Sequence, residues 1–203
     1  WFKQLRCSKC RRWTKWKSSY ILNRIKVNIP EGVSGDFSIR KQNMNNFCGT
    51  EEPQGFYTIL YHNEEHIMQD TTREYREHEQ FLNDAHGNVL VTGLGLGLVN
   101  ESLMNNPNVE SVTIIEKYQE VIDLVWNHCP KNDKVRLICA DIYDWKPDGR
   151  YDIGWFDSWC GENTHLEYQK LMNQRYFKHI SDIRFWKSFG QEQGWGCPSE
   201  VPE

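Results

Sequence analysis

The sequence predicts an α/β fold built on a doubly wound parallel sheet, Rossmann-like in type, over residues 55–190 of the 203-residue chain. From Gly87 onward, short apolar segments alternate with helical patterns, which is typical of parallel βαβ units buried on both faces. Glycines at alternate positions follow the first apolar segment. The length suits one ordinary domain with an appendage.

The elements follow in order from the residue patterns. A helix is predicted to begin after residues 70–72, where Asp70, Thr71 or Thr72 serves as N-cap and Glu74 completes a capping box. Four strands are predicted at Val89–Thr92, Ser111–Glu116, Val135–Ala140 and Asp152–Asp157, with helices at Leu98–Asn105 and Gln119–Asn127. A further helix over 163–180 and a strand from Asp182 complete the sheet, and residues 191–203 form an irregular tail.

The first 54 residues are predicted to form a small, β-rich, basic extension. Residues 1–30 contain nine Lys and Arg and neither Asp nor Glu. A hairpin is expected from Tyr20–Ile29 through a turn at Pro30–Asp36 to a return strand, and another strand at Gly55–Asn63. Such an arm indicates contact with nucleic acid or an acidic partner, or docking onto the chain's own acidic remainder.

Cysteine usage favours a reducing, cytoplasmic setting. The seven cysteines are an odd number, and Cys139 lies in an apolar segment. Cys7 and Cys10 form a single CxxC, which with Cys48 predicts three ligands of a structural zinc site; two ordinary thiols are the alternative. No apolar run approaches the ~20 residues of a membrane span, so no membrane partner is expected.

The glycine loop is the main functional signal. Gly93, Gly95 and Gly97 give G-x-G-x-G, whereas a dinucleotide site requires a third glycine at the position of Leu98. The observed spacing is typical of S-adenosylmethionine sites. Glu116 ends the next strand, where a carboxylate can accept both ribose hydroxyls. Asp141 follows the third strand and can accept the adenine amino group; solvated carboxylates at strand ends are the alternative.

The stretch from about Gln69 to Ser158 resembles class I S-adenosylmethionine-dependent methyltransferases. Within them it is similar to the spermidine synthase-like branch, especially short proteins encoded by bacteriophages. The segments that carry the resemblance are "DTTREYREH", "VLVTGLGLGLV", "VESVTIIEKYQEVIDLV", "VRLICADIYDWKP" and "RYDIGWFDSW". The resemblance implies cofactor contacts for Gln69, Glu79, Ile142 and Asp157, with His78 beside Glu79 at the mouth of the pocket, and host-cell cytoplasm as the location for a viral protein.

The same resemblance bears on the reaction. Asp157 matches the carboxylate that deprotonates the attacking amine in spermidine synthases, so it is the candidate general base. The second carboxylate of that family's motif is absent from "FDSWCG", and Leu96 replaces the Asp that holds the cofactor's amine tail. Methyl transfer to an unidentified acceptor is therefore favoured over aminopropyl transfer. Besides methyl and aminopropyl transfer, a third hypothesis is a non-catalytic binding protein that keeps the fold.

Two further expectations concern the edges of the site. Trp155 and Trp159 flank Asp157 and are expected either to clamp a flat or cationic substrate or, for Trp155, to face the core. The sheet is expected to be truncated at its C-terminal side, where full methyltransferases add a hairpin. The resulting edge would be covered by the basic segment or by a second subunit in a homodimer.

Overall fold

A computed structural model describes residues 4–6, 13–15, 26–44, 52–158 and 165–186. Their contacts divide the chain into two compact units. The first comprises the described residues up to Gln80, together with Gly95–Glu101 and Gln119–Pro130. The second comprises Phe81–Leu94, Ser102–Tyr118 and the described residues from Lys131 onward. The domain boundaries predicted after residues 54 and 190 stay predictions.

The first unit contains two antiparallel sheets. Strands β1 (Gln4–Arg6) and β2 (Trp13–Lys15) pair with each other. A four-stranded sheet has the order β3-β4-β5-β6, and its strands are Gly32–Ser34, Phe37–Met44, Gly55–His62 and Glu65–Gln69. The loop between β5 and β6 has two residues, Asn63 and Glu64, with φ of 48° and 66°. Positive φ at both positions is what a type I′ hairpin turn requires.

The first strand of the predicted N-terminal hairpin, Tyr20–Ile29, is wrong over residues 26–29, and its residues 20–25 lie outside the described residues. The described residues 26–31 form neither strand nor helix, and β3 begins inside the segment predicted to be a turn. The turn itself is only Gly35 and Asp36, with Gly35 at φ 54°. A three-residue edge strand carries too little alternation to be recognised in sequence, whereas the return strand β4 was predicted. Strand β6 was missed for a related reason, since Glu65, His66 and Ile67 are all exposed.

Helix α1 (Thr72–Asp84) begins as its sequence predicts. The Glu74 N–H donates to the Thr71 hydroxyl at 3.2 Å, which makes Thr71 the N-cap. The Glu52 carboxylate accepts the N–H groups of Thr72 and Arg73 at 2.9 and 2.8 Å. Helix N-termini present N–H groups without intrahelical partners, so these acceptors fix where the helix starts. Sequence alone gave no signal for Glu52, which lies twenty residues upstream of the helix.

The second unit contains a five-stranded sheet in which every adjacent pair is parallel. Its strands are β7 (Gly87–Thr92), β8 (Val109–Glu116), β9 (Val135–Cys139), β10 (Tyr151–Phe156) and β11 (Ile180–Phe185). The order is β11-β10-β7-β8-β9. The chain moves outward from β7 to β9 and then returns to the other side of β7. The reversal between β7 and β10 is a topological switch point of the Rossmann-like fold, as predicted.

Three helices follow the predicted positions to within a few residues. They are α2 (Asn100–Asn105), α3 (Gln119–Val125, continued by a 3-10 turn at Trp126–His128) and α4 (His165–Tyr176). Helix α4 places Tyr168, Met172 and Tyr176 in an apolar cluster with Leu90 and Phe156 of the sheet. None of the helices that the structure describes is long and apolar enough to cross a membrane.

Trp155 is a core residue. Its indole stacks on Phe81 of α1 with ring centroids 5.0 Å apart, and only 4% of the residue is exposed. Because successive strand residues face opposite sides of a sheet, Phe156 packs on the other face against α4. The predicted role of Trp155 as a substrate clamp is therefore wrong, and the alternative prediction, that Trp155 faces the core, is confirmed. Trp159 lies outside the described residues.

His78 makes the stability of the fold depend on pH. It is 2% exposed on α1, and burial lowers its pKa to about 4 from the ordinary value of 6.5. The unfolded chain therefore binds a proton between about pH 6.5 and 4 that the folded chain does not. We expect the free energy of unfolding to fall by about 3 kcal/mol as pH decreases through this window.

Urea unfolding at several pH values measures this dependence, and His78→Gln should remove most of it. An unchanged pH slope in the variant would contradict the assignment.

Candidate functional site

The first part of the site is the end of β7, where the glycine loop begins. The Gly93 N–H donates to the Ile115 carbonyl at 2.8 Å, and the Leu94 N–H donates to Glu116 Oε2 at 2.8 Å. Gly93 has φ 88°, and a Cβ at this position would lie 3.0 Å from the Asp157 carbonyl oxygen. Both the backbone angle and the close approach therefore require glycine.

Glu116 ends β8 as a buried carboxylate with fixed orientation. It is 7% exposed, and while Leu94 occupies one oxygen, the Tyr118 N–H donates to Oε1 at 2.9 Å. An ionised carboxylate can only accept hydrogen bonds, and it has about four lone-pair positions. Two adjacent hydroxyl groups of a ligand are donors of the kind that an oriented carboxylate accepts. Hydrogen bonds made to a charged group at such a site are also stronger than those in water.

Asp141 follows β9 and is held on both oxygens. Oδ1 accepts the Tyr143 N–H at 2.9 Å, and Oδ2 lies 3.0 Å from the Lys117 ammonium. Burial raises the pKa of Asp141, but the Tyr143 hydrogen bond and the Lys117 charge lower it more, so its pKa lies below the ordinary value. The hydrogen bond to Asp141 raises the pKa of Lys117 against the opposing effect of burial. The two groups are an ion pair across neighbouring strand ends.

Asp157 follows β10 on the other side of β7. Its N–H donates to Thr92 Oγ1 at 3.3 Å, which ties the ends of β7 and β10 together. Ser158 Oγ lies 3.0 Å from Thr92 Oγ1 and 2.9 Å from the Tyr168 hydroxyl, so a chain of hydroxyls continues from the strand end to α4. Burial raises the pKa of Tyr168, an effect that the Ser158 hydrogen bond only partly offsets. Tyr168 therefore stays protonated and can act as a fixed hydrogen-bonding anchor.

The remaining two loop glycines belong to the first unit. Gly95 and Gly97 have φ of 51° and 68°, the left-handed region that favours glycine. The Leu96 N–H donates to Met68 Sδ at 3.3 Å. A Cβ on Gly95 would overlap Met68 Sδ, and one on Gly97 would overlap Cys129 Sγ. These glycines therefore serve close packing of the loop against its own unit.

The structure brings Gly93, Glu116, Asp141 and Asp157 to the carboxyl ends of four strands of one sheet. Ile142 is 5% exposed, and its side chain packs in the apolar cluster while its carbonyl accepts the Tyr176 hydroxyl at 2.5 Å. Only the backbone of Ile142 is left for a ligand.

The other two predicted cofactor residues lie in the first unit, Gln69 paired with Ile59 at the end of β6 and Glu79 exposed on α1. His78, expected at the mouth of the pocket, is buried.

Metal binding finds no support among the described residues, which contain no group of three or more His, Cys, Asp or Glu able to hold an ion. The predicted ligands Cys7, Cys10 and Cys48 lie outside those residues, as does most of the basic arm. The free cysteines that the structure does describe are Cys129, which is buried, and Cys139, which is exposed.

Sequence reasoning missed Lys117, Tyr168 and Met68. Lys117 had a usable signal, because it directly follows the strand-end acid Glu116 and side chains at such positions reach the neighbouring strand end. Tyr168 and Met68 had none, since each acts through a contact across the fold with a residue ten or more positions away.

Neither a protein-family model nor a curated protein sequence matches the chain. Similar solved structures include the N-methyltransferase NodS from Bradyrhizobium japonicum WM9 in complex with S-adenosyl-L-homocysteine (16% identity, TM-score 0.46, 56% of this chain and 61% of that chain). Others are a DhpI–SAH complex (20%, 0.42, 53% and 52%) and the plantazolicin methyltransferase BpumL with SAH (19%, 0.39, 55% and 43%). The match with DhpI thus spans about half of that chain's length.

Proposed function

We propose that this chain binds S-adenosylmethionine and transfers its methyl group to an acceptor that approaches Asp157. The observation that carries the proposal is the Glu116 carboxylate. It is buried at the end of β8 and oriented by the Leu94 and Tyr118 N–H groups, and it is the type of acceptor that binds a pair of ribose hydroxyls. Asp141 follows the adjacent strand.

The loop's hydrogen bonds favour this ligand over a dinucleotide. A pyrophosphate is held by free backbone N–H groups of the glycine loop and the following helix. Here the N–H groups of Gly93, Leu94 and Leu96 donate to Ile115, Glu116 and Met68 respectively. A ligand without phosphate needs none of those donors.

Bound S-adenosylmethionine supplies a methyl carbon on a sulfonium sulfur, which keeps the bonding electrons when the acceptor's lone pair forms the new bond. The chain's own residues orient the partners. Glu116 and Asp141 hold the nucleoside, and Asp157 accepts the proton that the acceptor loses. Thr92 fixes the Asp157 backbone, and Ser158 with Tyr168 anchors the segment that follows.

Finer parts of the proposal rest on the sequence resemblance. They are membership of the spermidine synthase-like branch and of its bacteriophage type, and cofactor contacts by Gln69 and Glu79. Contacts by Gly95 and Gly97 are proposed from the G-x-G-x-G spacing, and a cytoplasmic location from cysteine usage. Partner binding through the basic arm is proposed from the charge of that arm, a homodimer from the sheet edge that needs covering, and zinc on Cys7, Cys10 and Cys48 from the CxxC pattern. Titration with decarboxylated S-adenosylmethionine separates the methyl and aminopropyl versions, since preference for that form would favour aminopropyl transfer.

Replacing Asp157 by Asn should separate binding from transfer. We expect release of S-adenosylhomocysteine to fall about 100-fold or more, because the amide cannot take up the acceptor's proton. The dissociation constant for S-adenosylhomocysteine should change by less than about threefold, because the ligand contacts at Glu116 and Asp141 are untouched. The assay measures product release with amines, polyamines, nucleic acid and fractionated bacterial protein as acceptors.

Asp133→Asn is the matched control, since Asp133 is an exposed carboxylate in the loop before β9. Equal turnover by Asp157→Asn and the control would remove Asp157 from the reaction. If the unmodified chain binds S-adenosylhomocysteine but shows no turnover with any acceptor class, the hypothesis of a non-catalytic binding protein would be favoured.

A further inference from the structure

Lys117 is a charged neighbour of both carboxylates of the proposed nucleoside site, of Glu116 along the chain and of Asp141 in space. It directly follows Glu116 at the end of β8, and its ammonium lies 3.0 Å from Asp141 Oδ2 after β9. The Lys117 side chain is 55% exposed and that of Asp141 is 27% exposed, so a ligand can reach the pair from solvent. The ion pair therefore lies at the strand ends where the proposed site would recognise the base of the nucleoside.

Two donors fix the orientation of Asp141. The backbone Tyr143 N–H holds Oδ1 and the Lys117 ammonium holds Oδ2, which together prevent rotation of the carboxylate. Each oxygen keeps a lone pair, and an ionised carboxylate can only accept hydrogen bonds. Asp141 is thus a rigid acceptor, suited to an amino group and repelled by a carbonyl oxygen.

Removing the lysine would loosen this acceptor. Of its two described partners, Asp141 would keep only the Tyr143 hydrogen bond, and its second oxygen would be free to turn. Further charged and titratable groups at this end of the sheet are Asp144, Arg175 and the hydroxyls of Tyr118, Tyr143 and Tyr176. Arg175 Nη2 lies 3.4 Å from the Trp145 carbonyl and supplies no described hydrogen bond to Asp141.

We propose that Lys117 is a positioning residue that sets the base specificity of the nucleoside site, by holding Asp141 as a fixed acceptor for the exocyclic amino group of adenine. This inference rests on the proposed function. Adenine carries an amino donor at the position where hypoxanthine carries a carbonyl acceptor, so the arrangement selects the amino base. An ordinary exposed ion pair, by contrast, adds little and selects nothing.

The test compares S-adenosylhomocysteine with its deaminated analogue, S-inosylhomocysteine, by calorimetric titration of four proteins. These are the unmodified chain, Lys117→Met, Lys117→Arg and Lys170→Met, the last removing an exposed lysine of α4 as the matched control. Thermal unfolding of each protein establishes that all four are folded at the titration temperature.

The unmodified chain should bind the adenosyl compound at least about tenfold more tightly than the inosyl compound. Lys117→Met should weaken adenosyl binding about tenfold and change inosyl binding little, because the inosyl base has no amino group to be recognised. Lys117→Arg should restore most of the preference, and Lys170→Met should match the unmodified chain.

The inference would be overturned if Lys117→Met kept the unmodified chain's preference for the adenosyl compound. Equal weakening of both ligands is one such result, and it is what a purely structural or purely electrostatic role gives. In that case adenosyl binding by the unmodified chain leaves the proposed function standing. No binding of either compound by the unmodified chain would instead overturn the proposed function, and the role of Lys117 with it.

Discussion

Substitution of Glu116 by Gln is expected to weaken binding of S-adenosylhomocysteine about 100-fold. The carboxylate accepts two backbone N–H groups, from Leu94 and Tyr118, and the proposed function makes it the acceptor of the ligand's hydroxyl pair as well. An amide presents its NH2 group to one of those donors and cannot accept both ribose hydroxyls. Hydrogen bonds to a charged group contribute about 1.5–3 kcal/mol each, and about 2.7 kcal/mol corresponds to a 100-fold change in affinity.

Glu110→Gln is the matched control, because Glu110 lies on the same strand and is exposed. Isothermal titration of both variants at a temperature where each is folded gives the comparison. Retention of affinity within about threefold by Glu116→Gln would show that the hydroxyl pair is bound elsewhere.

Substitution of Gly97 by Ala should have the largest effect on stability. Gly97 has φ 68°, and the added Cβ would overlap Cys129 Sγ, which is itself buried. Left-handed backbone strain and the displaced sulfur together should lower the free energy of unfolding by about 3 kcal/mol. Urea unfolding followed by circular dichroism measures the loss.

A double-mutant cycle isolates the contact. Cys129→Ala removes the sulfur, so Gly97→Ala in that background should lose only about 1 kcal/mol, the part due to backbone strain. Gly149→Ala is the control, since a Cβ there meets nothing within 4 Å, and it should change stability by less than about 0.5 kcal/mol. Equal losses from Gly97→Ala in both backgrounds would mean that the overlap with Cys129 is not the cause.

The parallel sheet could be predicted from sequence because its three central strands, β7, β8 and β10, contain runs of consecutive residues buried on both faces. Short apolar segments such as Val89–Thr92 stand out from the helical patterns between them, and their ends agree with the structure to within about two residues. The antiparallel sheet could not be predicted as fully. Strand β3 has three residues, and β6 exposes Glu65, His66 and Ile67, so neither shows a clear alternation.

The strand-end acids were predictable from a positional rule, whereas their hydrogen bonds were not. Glu116 and Asp141 follow apolar strands, and the carboxyl ends of parallel strands meet at one edge. The Lys117–Asp141 ion pair depends on the register of β8 with β9, in which Glu116 lies opposite Cys139. Sequence contains no direct signal for that register. The environment of Trp155 could not be predicted either, because only the packing of Phe81 on its ring decides between a core contact and a substrate contact.

The most direct measurement is calorimetric titration of the purified chain with S-adenosylmethionine, S-adenosylhomocysteine and NAD. The account predicts binding of both adenosyl compounds with dissociation constants of about 100 μM or tighter, and no detectable binding of NAD, because the N–H groups of Gly93, Leu94 and Leu96 already have partners. Binding of NAD without either adenosyl compound would contradict the assignment of the glycine loop. Binding of none of the three would contradict a nucleoside site at these strand ends altogether.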